Sequence, residues 1–436
     1  MSRTVLIESE CVAGHLDLPR HIDHAWLFIA SGIHERLYAK TVDDRYMPRI
    51  AEGFWSRDGG ITGILVIGRD HKWSDGKSVT SEEVSMALYR GVTAGLFAAV
   101  RVVSATRIAI EMASTARLSI GLLASAMFSI TPSCRMDTRV AGRNVTTGPY
   151  VLVASSENRR AMHFRKRNDS PGCEQGPDLV TIATTESRDQ GLRLLQVGAL
   201  SLSCPLGADP RSYLHLRAAN TIMNRPANLG FVLRPYPGCA LARDPGTLRT
   251  ISYALCRRRL ASASGNTFLP MRSLSTLFGP SHGPQVDSNS PLHDPDALHI
   301  DRELHQHVEL RYAAFEPNRQ IAEEIARQLA DRLEIFCSLL PVAYADYVAS
   351  RYPRKPGLSL EIIQPLLPEA VIRGKWNIHD LEPAACQIAA DSQAPTITQP
   401  SVIPLLQAIT TLISFDARYR GKPILTSEAL LDWSRL

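Results

Sequence analysis

The chain has 436 residues, 44% of them hydrophobic and 21% charged, which is enough to bury the cores of two or three lobes. It contains no apolar run of the roughly 18 residues that would predict a membrane-spanning helix. Its net charge of +5 is mild, and the arginine clusters at 159–167 and 257–259 lack the motifs of a nucleic-acid module, so neither a membrane span nor a nucleic-acid partner is predicted.

The cysteines and the amino-terminal segment both bear on where the protein resides. Eight cysteines are scattered without a Cys-x-x-Cys pair, a pattern that favours free thiols over a disulfide framework or a zinc ribbon. Glu8, Glu10 and Asp17 interrupt the segment where a secretory signal would need an apolar run. As written, the chain is predicted to be cytoplasmic; with a signal segment removed it would be periplasmic or otherwise extracytoplasmic.

The first elements in chain order are a strand over 4–7 and, further on, a well-patterned stretch that begins with an apolar β-branched run over 61–67. Asp75-Gly76 then predicts a turn, because glycine tolerates a positive φ. Thr80 and Glu83 form a capping box, and apolar residues at helical spacing follow them. We therefore predict a strand, a turn and a capped helix.

The remainder of the chain alternates strands and helices. Strands are predicted over 99–103, 107–112, 162–167, 179–184, 308–312 and 335–342. Helices are predicted over 192–200 and from Asp244-Pro245 and Glu316-Pro317 onward. The segment 279–299, rich in Pro, Ser, Asp and His, is typical of a surface loop. The histidines from His282 to His307 fit no metal-ligand spacing, and His21 with His24 lacks a third ligand, so we predict no metal and no cofactor.

Several segments match the motifs of a known family in order and spacing. Residues 50–55, 72–77 and 80–90 resemble the signature of the family 5 extracellular solute-binding proteins, the oligopeptide-, dipeptide- and nickel-binding receptors of ABC importers. Further motifs lie at 147–152, 192–200, 248–257, 317–335 and 402–406. The chain also resembles the solute-binding-like domain of cytoplasmic regulators of sugar-phosphate stress. In the family the signature residues are scaffold, so Trp73 and Asp75 are expected to hold a turn.

The resemblance implies an α/β fold of the class II periplasmic-binding-protein type, with two mixed-sheet lobes, a small extra subdomain and a ligand cleft between the lobes. Lobe I is expected to comprise 1–45, 147–240 and 401–436, the small subdomain 46–146, and lobe II 241–400. Two crossing segments are expected near 230–240 and 395–405, and a family helix is expected at 33–37.

The same resemblance implies a set of ligand-binding residues. In relatives the loop whose counterpart here is 21–26 approaches the ligand, which points to Asp23, His24 and Trp26. Tyr236 ends a crossing strand, and Gln364 lies in the segment 360–368. Peptide-binding relatives carry in that segment an aspartate for the ligand's amino group, and no acid stands at its place here. The ligand is therefore predicted to be neutral or anionic; the alternative is that Asp23 has taken over the amine.

These observations favour a monomeric solute-binding protein that closes its lobes on a peptide-like or other small solute, with an ABC permease as a candidate partner. The alternative is a stand-alone cytosolic sensor, or a remnant of a solute-binding domain, that does not serve transport. The sequence contains no Gly-x-Ser-x-Gly, His-Glu-x-x-His or phosphate-loop motif, so no enzyme is predicted.

Overall fold

The computed structural model describes the chain in segments. They are 3–9, 24–43, 45–113, 117–135, 145–156, 160–170, 175–185, 188–203, 221–236, 238–239, 241, 245–265, 268–271, 306–315, 317–343, 346–347, 356–363, 402–419, 424–425, 432–433 and 435–436. The predicted loop at 279–299 and two predicted ligand residues, Asp23 and Gln364, lie outside the described residues.

Strands and helices alternate along the described chain. The strands are β1 Thr4–Glu8, β2 Tyr38–Lys40, β3 Tyr46–Pro48, β4 Ala51–Arg57, β5 Thr62–Ile67, β6 Phe97–Ser104, β7 Arg107–Met112, β8 Tyr150–Ser155, β9 Ala161–Lys166, β10 Leu179–Ala183, β11 Leu202–Ser203, β12 Thr221–Pro235, β13 Phe268–Pro270, β14 Gln306–Ala313, β15 Ile335–Val342, β16 Gly357–Ile363 and β17 Ile403–Ser414. The helices are α1 His24–Ile33, α2 Ser81–Thr93, α3 Ile120–Leu123, α4 Arg188–Gln196, α5 Pro245–Ala254, α6 Arg257–Ala263 and α7 Asn318–Leu333.

The largest sheet is mixed and runs through two hydrophobic cores. Its strand order is β15-β14-β16-β12-β17-β11-β1-β10-β9-β8, with β13 paired to β17. β14 pairs in parallel with β15 and β16, and β1 pairs in parallel with β10 and β11, whereas β12 and β17 pair antiparallel. We call the part around β1 lobe I and the part around β14 lobe II. The predicted mixed-sheet character of the two lobes is confirmed, and β12 and β17 join the lobes in one sheet.

β17 passes from one lobe to the other. Leu405, Leu406 and Ala408 pack in the lobe II core, whereas Leu412 packs in the lobe I core. Its partner β12 is irregular where β17 changes lobe. The register shifts between Pro226 and Gly230 and again between Phe231 and Val232. Proline has no amide to donate to the ladder, so a bulge beside it is expected. The chain thus crosses between the lobes as a bulged pair of long strands.

The small subdomain forms its own antiparallel sheet in the order β4-β5-β7-β6. Alternate residues of β5 and β7, such as Leu65 and Ile108, point into its core, where α2 covers them with Val84 and Leu88. The predicted capping box is present, since the Thr80 side chain accepts a bond from the Glu83 amide and the Glu83 side chain accepts one from Thr80. The strand, turn and capped helix predicted here are confirmed.

The first helix lies earlier than predicted. A loop was expected over 21–26 and a helix over 33–37, but α1 spans His24–Ile33 and the chain reaches β2 by Tyr38. Residues 26–30 are each no more than 2% exposed. A helix buried on nearly every side has no polar face, so it lacks the amphipathic period that identifies a helix in a sequence. For that reason the loop predicted over 24–26 and the helix predicted at 33–37 were wrong; residues 21–23 lie outside the described residues.

Other predicted elements are present with shifted ends. α4 begins at Arg188 instead of 192, and Gly198 after it adopts a φ of 73°, as expected for a glycine that closes a helix. α5 begins at Pro245 and α7 follows Pro317. In α7 the residues Ile321, Ile325 and Leu329 are fully buried in the lobe II core, as their helical spacing predicts.

Candidate functional site

The family-like stretch of the small subdomain folds into a buried polar network. The Trp73 indole donates to the Glu83 carboxylate at 2.8 Å, and Arg135 stacks over the Trp73 ring at 5.0 Å while pairing with Asp75 at 2.8 Å. Burial acts to raise the pKa of Asp75, but bonds from Arg135 and the Lys77 amide hold it below its ordinary value. Trp73 is fully buried, so its side chain supports the fold and has no free surface for a ligand.

Arg167, at the end of β9, ties this network to lobe I. Its guanidinium donates to the carbonyl oxygens of four residues and to Asp169 through two nitrogens at 3.0 Å each. The four carbonyl acceptors belong to Lys72, Trp73, Thr146 and Gly148. Its bond to Asp169 is the main reason that the pKa of this aspartate lies below its ordinary value. We call Trp73, Asp75, Glu83, Arg135 and Arg167 the signature network; the sequence singled out the first three.

A second polar group lies on lobe II, on the face of the sheet opposite to its core. In the register of three neighbouring strands, Arg311 of β14 lies beside Ser359 of β16, and Ser359 lies beside Arg234 of β12. Glu361, two residues along β16, pairs with Arg234 at 2.8 Å. The alternate residues of the same strands, such as Leu233 and Leu360, face the lobe II core. Because side chains alternate along a strand, the charged residues lie on one face of the sheet and the apolar residues on the other.

Two tyrosines complete this group. The Tyr347 hydroxyl lies 2.7 Å from the Ser359 hydroxyl and donates to the Leu360 carbonyl at 2.7 Å, and the Arg311 guanidinium stacks over its ring at 5.6 Å. Tyr236, directly after β12, is 3% exposed. The lobe II cluster, as we call it, comprises Arg234, Tyr236, Arg311, Tyr347, Ser359 and Glu361.

Both phenols of the lobe II cluster are held in the neutral form. Burial raises the pKa of Tyr236 above its ordinary 10.0, and the Glu361 carboxylate adds to the shift while a bond with Ser359 opposes it. Burial also raises the pKa of Tyr347 well above 10.0, again with Glu361 adding to it. Each tyrosine can therefore donate a hydrogen bond at any physiological pH. The cluster holds two guanidiniums and one carboxylate, an excess of positive charge.

The structure places two of the predicted ligand residues, Trp26 and Tyr236, in different lobes. Trp26 is 2% exposed in the lobe I core, with its ring 6.1 Å from that of His34, and His24 opens α1. Tyr236 belongs to the lobe II cluster. Asp23 and Gln364 lie outside the described residues. A ligand role for these five residues stays a prediction.

Sequence reasoning missed most of the lobe II cluster. It selected Tyr236, but not Arg234, Arg311 or Ser359. A signal was present, because residues 358–362 alternate Leu-Ser-Leu-Glu-Ile, the pattern of a strand with one polar face. What the pattern cannot give is the partner strands, since Arg234 and Arg311 are far apart in the chain and meet only through sheet register.

Two properties of the described residues bear on other kinds of function. No helix among them is long and apolar enough to cross a membrane. In the same segments no group of three or more His, Cys, Asp or Glu side chains is placed to hold a metal ion.

Comparison with known proteins identifies solved structures that share this fold. No family model and no curated protein sequence matches the chain. Among solved structures, it is similar to the binding protein AgaA of A. tumefaciens R10 in complex with agropinic acid, at 13% identity and a TM-score of 0.76 over 94% of this chain and 93% of that one. It is also similar to the oligopeptide-binding protein AppA of Bacillus subtilis in complex with a nonapeptide, at 13% identity and a TM-score of 0.75 over 99% and 98% of the two chains.

A third similar structure is the murein tripeptide binding protein MppA of Escherichia coli, at 13% identity and a TM-score of 0.77 over 100% of this chain and 98% of that one. The match covers nearly the whole of each chain, so the lobes and the small subdomain are shared together. The protein therefore has the periplasmic-binding-protein fold of the oligopeptide-binding and related solute-binding proteins, and the resemblance to family 5 is confirmed at the level of the fold.

Proposed function

We propose that this protein binds a small solute between its two lobes and closes on it. The observation that carries the proposal is the paired crossing of β12 and β17, in which a bulge interrupts the ladder between the two cores. A solute that contacts both lobes adds free energy only to the closed state and shifts the population toward it. The similarity to three binding proteins of the same fold supports this function over catalysis.

The solute that we propose is neutral or anionic and is not a peptide with a free amino terminus. In the described part of 360–368 the acid is Glu361, and it is committed to Arg234 at 2.8 Å. A buried ammonium group without a carboxylate partner is costly. The excess of arginine in the lobe II cluster favours a carboxylate instead. That a protein of this fold binds agropinic acid supports a small organic acid as a ligand class.

We propose the lobe II cluster, which includes Tyr236, as the lobe II side of this site, with Asp23, His24 and Gln364 as the other contacts. Arg234 keeps 17% of its side-chain surface exposed. The role in the cell is proposed to be delivery of the solute to an ABC permease outside the cytoplasm. A cytosolic sensor would use the same closure, and neighbouring permease and ATPase genes would favour the first role.

Isothermal titration calorimetry tests the ligand class. A mixed di- to pentapeptide library, the same peptides acetylated at the amino terminus, and a panel of small mono- and dicarboxylic acids are titrated in parallel. We expect binding by carboxylic acids or acetylated peptides, weakened at least tenfold by Arg311→Met and unchanged by Arg319→Met on the exposed side of α7. Binding that acetylation and Asp23→Asn both abolish would overturn the proposal in favour of an amine.

A further inference from the structure

The outer face of the small subdomain sheet carries a groove that the solute-binding proposal does not use. Strand alternation turns Ile64 of β5 and Ala109 of β7 away from the subdomain core, and register places Trp55 beside Ile64 and Arg101 beside Ala109. In the next row Thr62 lies between Arg57 and Glu111. Except for Trp55, the residues of these two rows line a groove of about 170 Å³. Its floor is apolar and its walls are charged.

The tryptophan and the charged side chains on this face are exposed. Trp55 is 58% exposed, although a buried position is usual for so large an apolar ring. Arg57, Arg101 and Arg107 are also exposed on this face. Within the part of the chain that the structure describes, none of the three arginines has an ion pair or a side-chain hydrogen bond, and neither has Glu111. Tryptophan and arginine are the side chains that most often dominate the energy of protein interfaces.

We propose that this face binds an acidic, extended segment of a partner protein. One apolar side chain of the segment would lie on Ile64 and Ala109 beside Trp55, and flanking carboxylates would pair with Arg57, Arg101 and Arg107. Complementary charge of this kind steers encounter and fixes the orientation of a partner. A groove of about 170 Å³ is below the roughly 300–1,000 Å³ of pockets that enclose small molecules, so a single side chain fits it better.

The charges on this face argue against a second copy of the chain, a nucleic acid or a membrane as the partner. A second copy of the chain using the same face would bring the arginines of both copies together, and like charges repel. A nucleic acid or an anionic membrane would place phosphates over Glu111, which lines the middle of the groove. A flat bilayer would also leave the concave floor over Ile64 and Ala109 uncovered. A peptide can instead direct an uncharged or donor group at Glu111.

The test uses the whole protein and fluorescence anisotropy of labelled synthetic peptides. The probe is an acetylated and amidated hexapeptide with a central leucine between glutamates and aspartates. Two control peptides are used: one has serine in place of leucine, and the other has lysine in place of each acidic residue. We expect saturable binding of the first peptide that falls with added salt, at least tenfold weaker binding of the serine peptide, and no binding of the basic one.

Variants locate the site. Arg57→Ala, Arg101→Ala and Trp55→Ala should each weaken binding at least fivefold, whereas Glu111→Gln should strengthen it because a like charge is removed. Arg69→Ala, at an exposed arginine on another part of the subdomain, is the matched control and should change nothing. All these side chains are exposed, so an unchanged thermal melt is expected and separates lost binding from lost folding. Solute binding in the calorimetric test should not change.

Three results would overturn the inference. The first is absence of acidic-peptide binding at millimolar concentration. The second is binding that Arg57→Ala and Arg101→Ala leave intact. The third is tighter binding of a single-stranded oligonucleotide, or of phosphatidylglycerol vesicles, than of the peptide, with the same dependence on Arg57 and Arg101.

Discussion

The signature network and the lobe II cluster are both buried polar groups, but they are built in opposite ways. Trp73, Asp75 and Glu83 lie within eleven residues, and two distant arginines secure them. The lobe II cluster takes its residues from three strands and from two tyrosines outside them, with no two of its charges adjacent in sequence. The first is recognisable as a motif and serves the fold. The second has no motif, and we propose that it serves the ligand.

This contrast shows why a family motif can be retained in the sequence while the residues that bind a ligand differ. A turn and a helix cap need particular residues at fixed spacing, so such a stretch stays recognisable whatever the protein binds. A binding surface spread over several strands can exchange residues without altering the backbone. The following experiments should distinguish the two groups, because changes in the signature network should alter stability alone and changes in the lobe II cluster should alter affinity as well.

Arg167→Met should have the largest effect. It removes a buried guanidinium from four carbonyl oxygens and from the half-exposed Asp169, and leaving several acceptors without their charged donor should cost about 3 kcal/mol. Urea denaturation should report this loss in the free energy of unfolding. Arg165→Met, on the exposed side of the same strand, is the control. Equal losses in both variants would contradict the role given to Arg167.

Glu361→Gln comes next. It leaves Arg234 without its carboxylate, and a poorly paired, largely buried charge should cost about 1–3 kcal/mol. If the lobe II cluster binds an anion, the same change should also strengthen the binding of the solute found by calorimetry, since the competing carboxylate is gone. Glu309→Gln, a half-buried carboxylate on β14, is the matched control. Weaker anion binding by Glu361→Gln would argue against the proposed ligand class.

Tyr347→Phe should cost about 1.5 kcal/mol, because the lost hydroxyl has buried partners in Ser359 and Leu360. It should also change the response to alkaline pH. The folded-state pKa of Tyr347 lies well above the 10.0 of an exposed phenol, so the unfolded chain loses this proton first. The contribution of the phenol is fully present below pH 10 and is lost as pH rises further. Denaturation between pH 8 and 11 should show a shallower alkaline decline in the variant.

Thr80→Ala should have the smallest effect, about 1 kcal/mol, because it removes only the side-chain cap of α2. Solute affinity should stay unchanged. Thr93→Ala, an exposed residue at the other end of the helix, should be nearly neutral in thermal melts. Lost binding at an unchanged melting temperature would mean that the signature stretch contacts the ligand after all.

Local rules carried much of the prediction. Spacing and capping chemistry identified β5, the turn at Asp75-Gly76 and α2, because each needs only neighbours in the chain. The starts of α5 and α7 were close for the same reason, whereas α4 begins four residues earlier than predicted. α1 was misplaced because burial on nearly every side removes the amphipathic signal. The fold as a whole was predicted through the family motifs, whose order along the chain fixes the order of the elements.

The sequence by itself determined those strands and helices that have regular spacing or a cap, the capped turn of the small subdomain and, through its motifs, the class of fold. Tertiary structure alone decided that β12 and β17 join both lobes in one sheet, that Arg167 and Arg135 secure the signature network, and that Arg234 and Arg311 meet across Ser359. The physical reason is sheet register: hydrogen-bonded pairing brings together residues far apart in the chain, and a shift of one residue would turn each side chain to the opposite face.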